Sequence, residues 1–375
     1  MKKKTKNIIK SVITIIIIAL ISTFLGLYVG NLEARSWVDK KILKKEITNE
    51  NLKVIDLEDE NAKVIAYDSK IATVAKNLLT IYDSNGKVVN TIDVEMTSPF
   101  FCANGDYLLI ADLGSSNLYL VNGTELSWSK KLEGNISKTC VNEVGEVAVV
   151  LTDTSYKSII TMFDYYGKEE FKTYLSTTLA TDIKLSRKGE YLSYIETDFS
   201  GALLISKVKT IEVNVAKSDP ENSLKYTYEF DSDEVVLKCE YKNENLVALS
   251  DKKAYLLEEG NKNELLELNE NIYFIEINLK NNVAFVIEND EGKQLLKTVN
   301  VDNLTEHEYI VDEIIKDIYS NSEIIAINTS GQVYFVKKNC NLKKKFITNS
   351  NILDISLGDK IAAIIYKNRV EIVKL

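Results

Sequence analysis

The feature that most constrains this chain is a set of short apolar runs that recurs along the sequence from residue 51 onward. The runs are rich in Ile, Val, Leu and Tyr, and they are separated by Asn, Asp, Gly, Ser and Lys. Enrichment in β-branched and aromatic residues between regular turn signals is typical of β-strands. Only two prolines, Pro99 and Pro220, are present to interrupt a ladder.

One apolar run per repeat marks the period. These runs start at Ile71, Asp106, Glu146, Glu190, Asn245, Asn282, Glu323 and Lys360. Successive starts lie about 35 to 55 residues apart, and most units have room for four short strands. Four antiparallel strands per repeat of roughly 40 residues predict the blades of an all-β fold, the β-propeller. We expect the recurring apolar strand to be the innermost one, beside the central channel.

The two ends of the repeat region predict how the ring closes. Two strands, NLKVIDL and AKVIAYD, precede Ile71, and two more, KIAAIIYKN and RVEIVKL, end the chain. Together they would form one four-stranded blade, which closes the ring and removes its open edges. Seven internal units and this shared blade predict eight blades, and seven blades is the alternative.

The N-terminus carries a separate signal. Residues 11–30 are uncharged, and as a helix they would span roughly 30 Å, the thickness of a bilayer's hydrocarbon core. A cleaved signal peptide is an alternative, but this run is longer and lacks an A-x-A site, and a buried core helix is another. Five lysines in residues 1–10 favour a cytoplasmic N-terminus and an extracellular C-terminal domain. The predicted parts are a cytoplasmic tail (1–10), a single transmembrane helix or signal anchor (11–30), a stalk containing Trp37 (31–50) and the propeller (51–375).

Charge and composition narrow the range of partners. The net charge is −9, and residues 11–375 carry −14 once the five N-terminal lysines are removed. Such an acidic domain repels nucleic acid and anionic lipid headgroups, so no nucleic-acid partner is predicted. Richness in Ile, Lys, Asn and Glu is typical of a Gram-positive bacterium with an AT-rich genome.

Cysteine and histidine usage limits the chemistry. The cysteines are irregularly spaced, which favours free thiols over two disulfides: Cys102, Cys140, Cys239 and Cys340. His307 is the single histidine, so a zinc site built from histidines is excluded. No P-loop, GxGxxG or GxSxG motif occurs. We therefore assign no catalytic residue, no metal ligand and no cofactor.

Acidic residues recur at the start of the apolar strands and are the candidate ligand-facing residues. They are Asp106, Glu146, Glu190, Glu323 and Asp359. If that strand is innermost, their carboxylates face the mouth of the channel, where they could bind a cation or a basic ligand. The alternative is turn chemistry, because a glycine precedes four of the five.

The fourth unit is about 15 residues longer than the others. Its second strand is expected to run on to residue 215, turn at 218–222 and return as LKYTYEF. The turn would form a protruding hairpin on the face that carries the acidic residues. Residues 208–224 are therefore a candidate partner site, and a neutral insertion is the alternative.

Several features resemble a known type of protein. The basic start followed by an anchor, the stalk and the repeats IYDSNGKVV and FDYYGKEE resemble membrane-anchored β-propellers of Gram-positive bacteria grouped under a domain of unknown function, in the WD40/PQQ-like superfamily. The DSNG turn also resembles propellers of quinone-dependent dehydrogenases and of outer-membrane assembly. The repeat tryptophans of the former are absent, since only Trp37 and Trp128 occur. The resemblance implies a propeller and a membrane location, and it brings no activity and no functional residues.

A rigid ring without catalytic motifs predicts a non-enzymatic function. We expect a binding or scaffold module for a protein, peptide or glycan of the cell envelope, held to the lipid bilayer through residues 11–30. A carboxylate-based hydrolase or lyase acting on envelope polymers is the alternative.

Overall fold

The computed structural model describes residues 2–30, 38, 42–43, 45–47, 52–201, 203–268, 271–289 and 291–375. Helix α1 spans Lys2–Gly30. Judged on the described residues, no helix combines the length and the apolar composition that a membrane crossing requires. Most of the predicted stalk, including Trp37, lies outside the described residues.

Eight four-stranded antiparallel units follow one another around a ring, one of them extended by a fifth, parallel strand, and the eight-blade prediction is confirmed. Two strands precede the first complete blade: β1 (Glu46–Ile47) and β2 (Lys53–Asp56). Blade 1 contains β3 (Lys63–Tyr67), β4 (Lys70–Ala75), β5 (Leu78–Tyr82) and β6 (Val88–Asp93). Blade 2 contains β7 (Pro99–Asn104), β8 (Tyr107–Asp112), β9 (Asn117–Asn122) and β10 (Glu125–Lys131). Blade 3 contains β11 (Asn135–Val141), β12 (Val147–Thr152), β13 (Ser158–Phe163) and β14 (Glu169–Leu175).

The remaining blades continue in chain order. Blade 4 contains β15 (Leu179–Leu185), β16 (Tyr191–Asp198), β17 (Ile205–Glu212) and β18 (Leu224–Glu229). Blade 5 contains β19 (Val236–Lys242), β20 (Asn245–Ser250), β21 (Lys253–Glu258) and β22 (Asn261–Glu267). Blade 6 contains β23 (Ile272–Glu276), β24 (Asn282–Glu288), β25 (Gln294–Asn300) and β26 (Glu306–Ile310). Blade 7 contains β27 (Asp317–Ser320), β28 (Ile324–Asn328), β29 (Gln332–Lys337) and β30 (Leu342–Ile347).

Blade 8 closes the ring differently from the prediction. It contains β31 (Asp354–Leu357), β32 (Ile361–Ile365) and β33 (Arg369–Lys374), and the N-terminal strand β2 pairs with β33 at its outer edge. The predicted division into two strands from each end is wrong, because β3 is the first strand of blade 1. The C-terminal end of the chain thus supplies three strands of blade 8, including the short strand β31, and the N-terminal end supplies one.

The innermost strand of each blade is its first one, so the predicted position of the recurring apolar strand is also wrong. First strands of neighbouring blades contact one another around the channel, as β11, β15 and β19 do. The apolar strand is second in its sheet and is covered by strands on both sides and by blades on both faces. Leu108, Leu109 and Ile110 of β8 are accordingly fully buried.

The hydrophobic core lies between successive blades. At the seam of the ring, Ile361 and Ile372 of blade 8 pack in one cluster with Ile71 of blade 1 and Ile55 of β2. Burial of each such side chain contributes roughly 1.5–3 kcal/mol to folding. The core therefore forms a closed belt around the ring. It holds the turns of the blades in fixed positions on the two faces of the ring.

Candidate functional site

The upper face of the ring is defined here by the turns between first and second strands and between third and fourth strands of each blade. All five acidic residues predicted from the sequence lie there, four of them directly before β8, β12, β16 and β28 and the fifth two residues before β32. They are Asp106, Glu146, Glu190, Glu323 and Asp359. They precede second strands, and several of them take part in contacts that hold turns together.

Two of these carboxylates contact a neighbouring blade. Asp106 Oδ1 lies 2.9 Å from Lys70 Nζ of blade 1. The carboxylate of Glu146 occupies the space that a Cβ on Gly189 would fill, in the next turn around the ring. Glu146 also accepts a hydrogen bond of 2.8 Å from Asn142.

The other three have different surroundings. Glu323 forms an ion pair of 3.0 Å with Lys338, and the carbonyl of Glu190 accepts a hydrogen bond from Val213. Partial burial raises the pKa of Asp359, and the Asp68 carboxylate nearby adds to that effect. Within the described part of the chain, no group of three or more His, Cys, Asp or Glu side chains has a metal-binding arrangement.

The long connection in blade 4 is anchored on the ring by buried residues at its base, while residues 217–222 at its tip are exposed. It links the third strand to the fourth, not the second to the third, and β17 ends at Glu212 instead of residue 215. Helix α2 (Val213–Ala216) and a 3₁₀ turn (Pro220–Asn222) follow. Val213 and Ala216 are buried in the core, so local apolar contacts end the strand there. The connection lies on the upper face beside Glu190, as predicted.

A cavity of about 430 Å³ lies between blades 4 and 5 on this upper face. We call it the tyrosine groove, because four of its lining residues are Tyr191, Tyr226, Tyr228 and Tyr241. Tyr191 begins β16, and Tyr226 and Tyr228 lie on β18, the strand that follows the long connection. Tyr241 lies on the innermost strand of blade 5, β19.

Hydrogen bonds fix the tyrosine rings in place. Tyr241 Oη lies 2.7 Å from Ser193 Oγ, and Tyr228 accepts a hydrogen bond of 3.2 Å from the Gly260 amide. Lys225 donates to the Tyr191 hydroxyl at 2.8 Å, and its Nζ lies 4.5 Å from the centre of that ring. Burial raises the pKa of Tyr228 and of Tyr241, so both phenols are neutral at physiological pH. The groove therefore has rigid aromatic walls.

A buried lysine contributes to the lining of the groove. Lys242 is 1% exposed, and its ammonium donates to the carbonyls of Ile277 and Leu279 in blade 6. Burial lowers the pKa of Lys242 to about 8, although the nearby Glu240 carboxylate opposes the shift. This side chain therefore joins blade 5 to blade 6, and its ammonium is hydrogen-bonded within the protein.

The charged side chains of the groove are predominantly acidic. Four carboxylates and two lysines line it: Glu244, Glu258, Glu259, Asp302, Lys225 and Lys242. Neutral aromatic walls with acidic neighbours suit a polar or basic segment of another molecule. No sequence motif marks this site, because its residues come from three blades and their side chains meet only in the ring.

The cysteines and the histidine lie away from this groove. All four cysteines are free thiols, as favoured from the sequence. Burial raises the pKa of Cys140, Cys239 and Cys340. His307 lies on β26, the outermost strand of blade 6.

The fold defines the protein as an eight-bladed β-propeller with a groove between two blades, and solved propellers resemble it. The C-terminal WD40 domain of Sif2 matches with a TM-score of 0.57 and 12% identity, over 86% of this chain and 99% of that one. Sqt1 from Chaetomium thermophilum gives 0.55 and 11%, over 86% and 97%. BamB from Moraxella catarrhalis gives 0.54 and 10%, over 86% and 98%. At these identities the likeness shows the fold alone.

The family is shown by sequence. Residues 43–375 match the model of the Family of unknown function (DUF5711), and the chain belongs to that family. No curated protein sequence matches the chain.

Proposed function

We propose that this protein is a membrane-tethered, extracytoplasmic binding module that holds a segment of another envelope protein or peptide in the tyrosine groove. Of the ligands considered from the sequence, we take a protein or peptide in preference to a glycan, because four carboxylates against two lysines favour a segment that carries positive charge. The ring serves as a rigid scaffold, and the groove supplies the contact.

The tether rests on residues 11–30. Twenty uncharged residues follow five lysines, and the apolar side chains of this helix are exposed along its length, with Ile15 at 66% and Leu20 at 65%. Exposed isoleucine and leucine on a helix of this length favour a lipid environment. The lysines before the helix favour a cytoplasmic N-terminus and an extracellular ring.

The observation that carries the proposal is the rigid tyrosine groove itself. Tyrosine is enriched where proteins bind one another, because its ring gives a large contact area at low entropic cost. Tyr226 is half-buried, and its ring lies 6.1 Å from that of Tyr228. Neighbouring acidic side chains would favour a segment that carries lysine or arginine.

Affinity capture with matched variants tests the proposal. The full-length protein is solubilised from its own membranes, and bound envelope proteins are identified for the wild type, Tyr226→Ser and Tyr174→Ser. Tyr174 is an exposed tyrosine on the outermost strand of blade 3, so it controls for the loss of a surface ring. We expect one protein to be enriched by the wild type and by Tyr174→Ser, and to fall roughly tenfold or more with Tyr226→Ser.

Two outcomes would contradict the proposal. Equal capture by both variants would remove the tyrosine groove as the binding site. A wild-type protein that enriches nothing over residues 1–30 fused to an unrelated domain would reject the binding function.

A further inference from the structure

The outer edge of blade 7 is strongly basic, in contrast to the acidic chain around it. Residues 337–345, KKNCNLKKK, contain five lysines and no acid, whereas residues 11–375 together carry −14. They end β29 and form the first part of β30, the fourth strand of its sheet. The lysine edge comprises Lys337, Lys338, Lys343, Lys344 and Lys345.

Most of this positive charge has no carboxylate partner among the residues that the structure describes. Among the described residues, Lys338 is the one member of the lysine edge in an ion pair, with Glu323 at 3.0 Å. Lys344 donates to the carbonyl of Lys374, and Lys345 Nζ lies 5.0 Å from the centre of the Tyr334 ring. Burial and the neighbouring Lys343 both lower the pKa of Lys344.

The lysine edge is also where the chain enters the ring from α1. Strand β1 pairs in parallel with β30, and the Lys345 amide donates to the Lys45 carbonyl at 2.7 Å. Lys45 Nζ in turn donates to the hydroxyl of Tyr28, close to the C-terminal end of α1, at 3.1 Å. The end of the helix therefore lies beside the lysine edge.

Lysines beside a membrane-embedded helix attract anionic lipid headgroups, and each one near the surface strengthens the attraction several-fold. We infer that the lysine edge docks on anionic phospholipid headgroups of the bilayer that holds α1, so that the ring stands on blade 7. This inference rests on the tether proposed above. Blade 3 would then be the part of the ring farthest from the bilayer, and the tyrosine groove would lie on the distant half.

The lysine edge has a second physical interpretation. Strand β1 pairs with β30 only at Lys345 and Phe346, so lysines on the rest of β30 would oppose edge-to-edge pairing with another copy of the sheet. That role does not depend on the lipid present, so the composition of the bilayer separates the two interpretations.

Headgroup quenching measures which blade lies nearest the bilayer. The full-length protein is reconstituted into vesicles that contain a headgroup spin-labelled lipid, with a fluorophore at Asn339→Cys or Tyr166→Cys. Both sites lie in turns between third and fourth strands, in blades 7 and 3 respectively. Labelled wild type corrects for reaction at the native thiols. Flotation of the same vesicles measures the tether separately.

We expect the Asn339→Cys label to be quenched more than the Tyr166→Cys label in phosphatidylglycerol vesicles. The difference should disappear in phosphatidylcholine vesicles and at high salt. Replacing Lys337, Lys343 and Lys345 with Glu should lower the docked-to-undocked ratio at least tenfold, and replacing them with Gln should have a smaller effect. A control with Lys157, Lys168 and Lys188 changed to Glu, all exposed on blades 3 and 4, should behave as wild type.

Each outcome decides the matter. Vesicle binding with equal quenching at both sites, or quenching that does not change with lipid charge, overturns lysine-edge docking and leaves the tether supported. Binding to anionic vesicles alone, lost in the triple Glu variant, supports the lysine edge and rejects the tether. Absence of binding to either lipid overturns both.

Discussion

Lys360 donates a hydrogen bond of 2.9 Å to Asp68, although the two residues lie 292 positions apart in the chain. The contact joins the last blade of the ring to the first. The Lys360 amide also donates to the Asp68 carbonyl at 2.9 Å. Side chain and backbone thus close the upper face at the seam, above the apolar cluster formed by Ile361 and Ile71.

The Asp68 carboxylate should stabilise the ring in a pH-dependent way. Burial alone would raise the pKa of Asp68, but hydrogen bonds from Lys360 and Ser69 outweigh it and lower the pKa to about 2. Because the folded pKa lies below the unfolded one, this stability is present above about pH 4 and is lost as the pH falls toward 2. Asp68→Ala should therefore cost about 1–2 kcal/mol at pH 7, measured by urea unfolding.

The matched control is Lys360→Met. The Lys360 side chain is 70% exposed, so we expect a smaller loss of stability than for Asp68→Ala. A difference between wild type and Asp68→Ala that stays constant down to the lowest pH at which both fold would contradict this account of the seam.

Lys242 should make the stability rise with pH in alkaline solution. The folded pKa of about 8 lies below the usual value of 10.5, so the unfolded chain binds more protons between these two pH values. Relative to Lys242→Met, the wild type should gain on the order of 3 kcal/mol between pH 7 and pH 10.5. Unfolding curves of both proteins across that range measure the change, and Lys188→Met, an exposed lysine, is the control. Parallel pH profiles for wild type and Lys242→Met would contradict a lowered pKa for the buried ammonium.

Closure by β2 should contribute strongly to the stability of the ring. Ile55 is 4% exposed and pairs with Val370 on β33, whereas Val54 on the same strand is 44% exposed. Ile55→Ala should cost about 2–4 kcal/mol, and Val54→Ala about 0.5 kcal/mol or less. Thermal and urea unfolding of the two variants compare these effects. If Ile55→Ala were as mild as Val54→Ala, β2 would be a loosely attached edge.

The hydrolase or lyase alternative stays a prediction, and amide variants separate it from the binding account. Asp106→Asn, Glu146→Gln and Glu190→Gln should abolish turnover of envelope polymers if these carboxylates catalyse it. In the binding account, the combined variant still captures the same partner as the wild type, because none of the three lines the tyrosine groove. Polymer turnover by the wild type that the triple variant lacks would support the enzyme.

The repeats were readable from the sequence because second strands are buried on every side. Residues such as Ile324, Ile325 and Ala326 are uniformly apolar, so they stand out against the turns. The same uniformity misled the assignment of the innermost strand. First strands border the channel and carry charge there, as the 2.8 Å ion pair of Lys184 and Glu240 shows, so they look like surface strands in sequence.

The closing blade and the tyrosine groove depend on contacts that sequence spacing does not encode. Strand β31 has only four residues, Asp354–Leu357, so its apolar pattern is too short to be recognised. In the groove, Tyr191 and Tyr241 lie 50 positions apart and meet because blades 4 and 5 pack side by side. The carboxylates before the second strands could be predicted because the same turn sequence recurs in several blades. Recurrence alone does not distinguish a structural role in the turn from a role in binding.

Site-specific photo-cross-linking in intact cells tests the central claim most directly. A photoreactive residue replaces Glu244, which is exposed and lines the tyrosine groove, or Ser322, which is exposed in the corresponding turn of blade 7. The account predicts one cross-linked partner from position 244, none from position 322, and loss of the cross-link when Tyr226→Ser is added. Equal cross-linking from both positions, or a product at position 244 that persists with Tyr226→Ser, would contradict binding in the tyrosine groove.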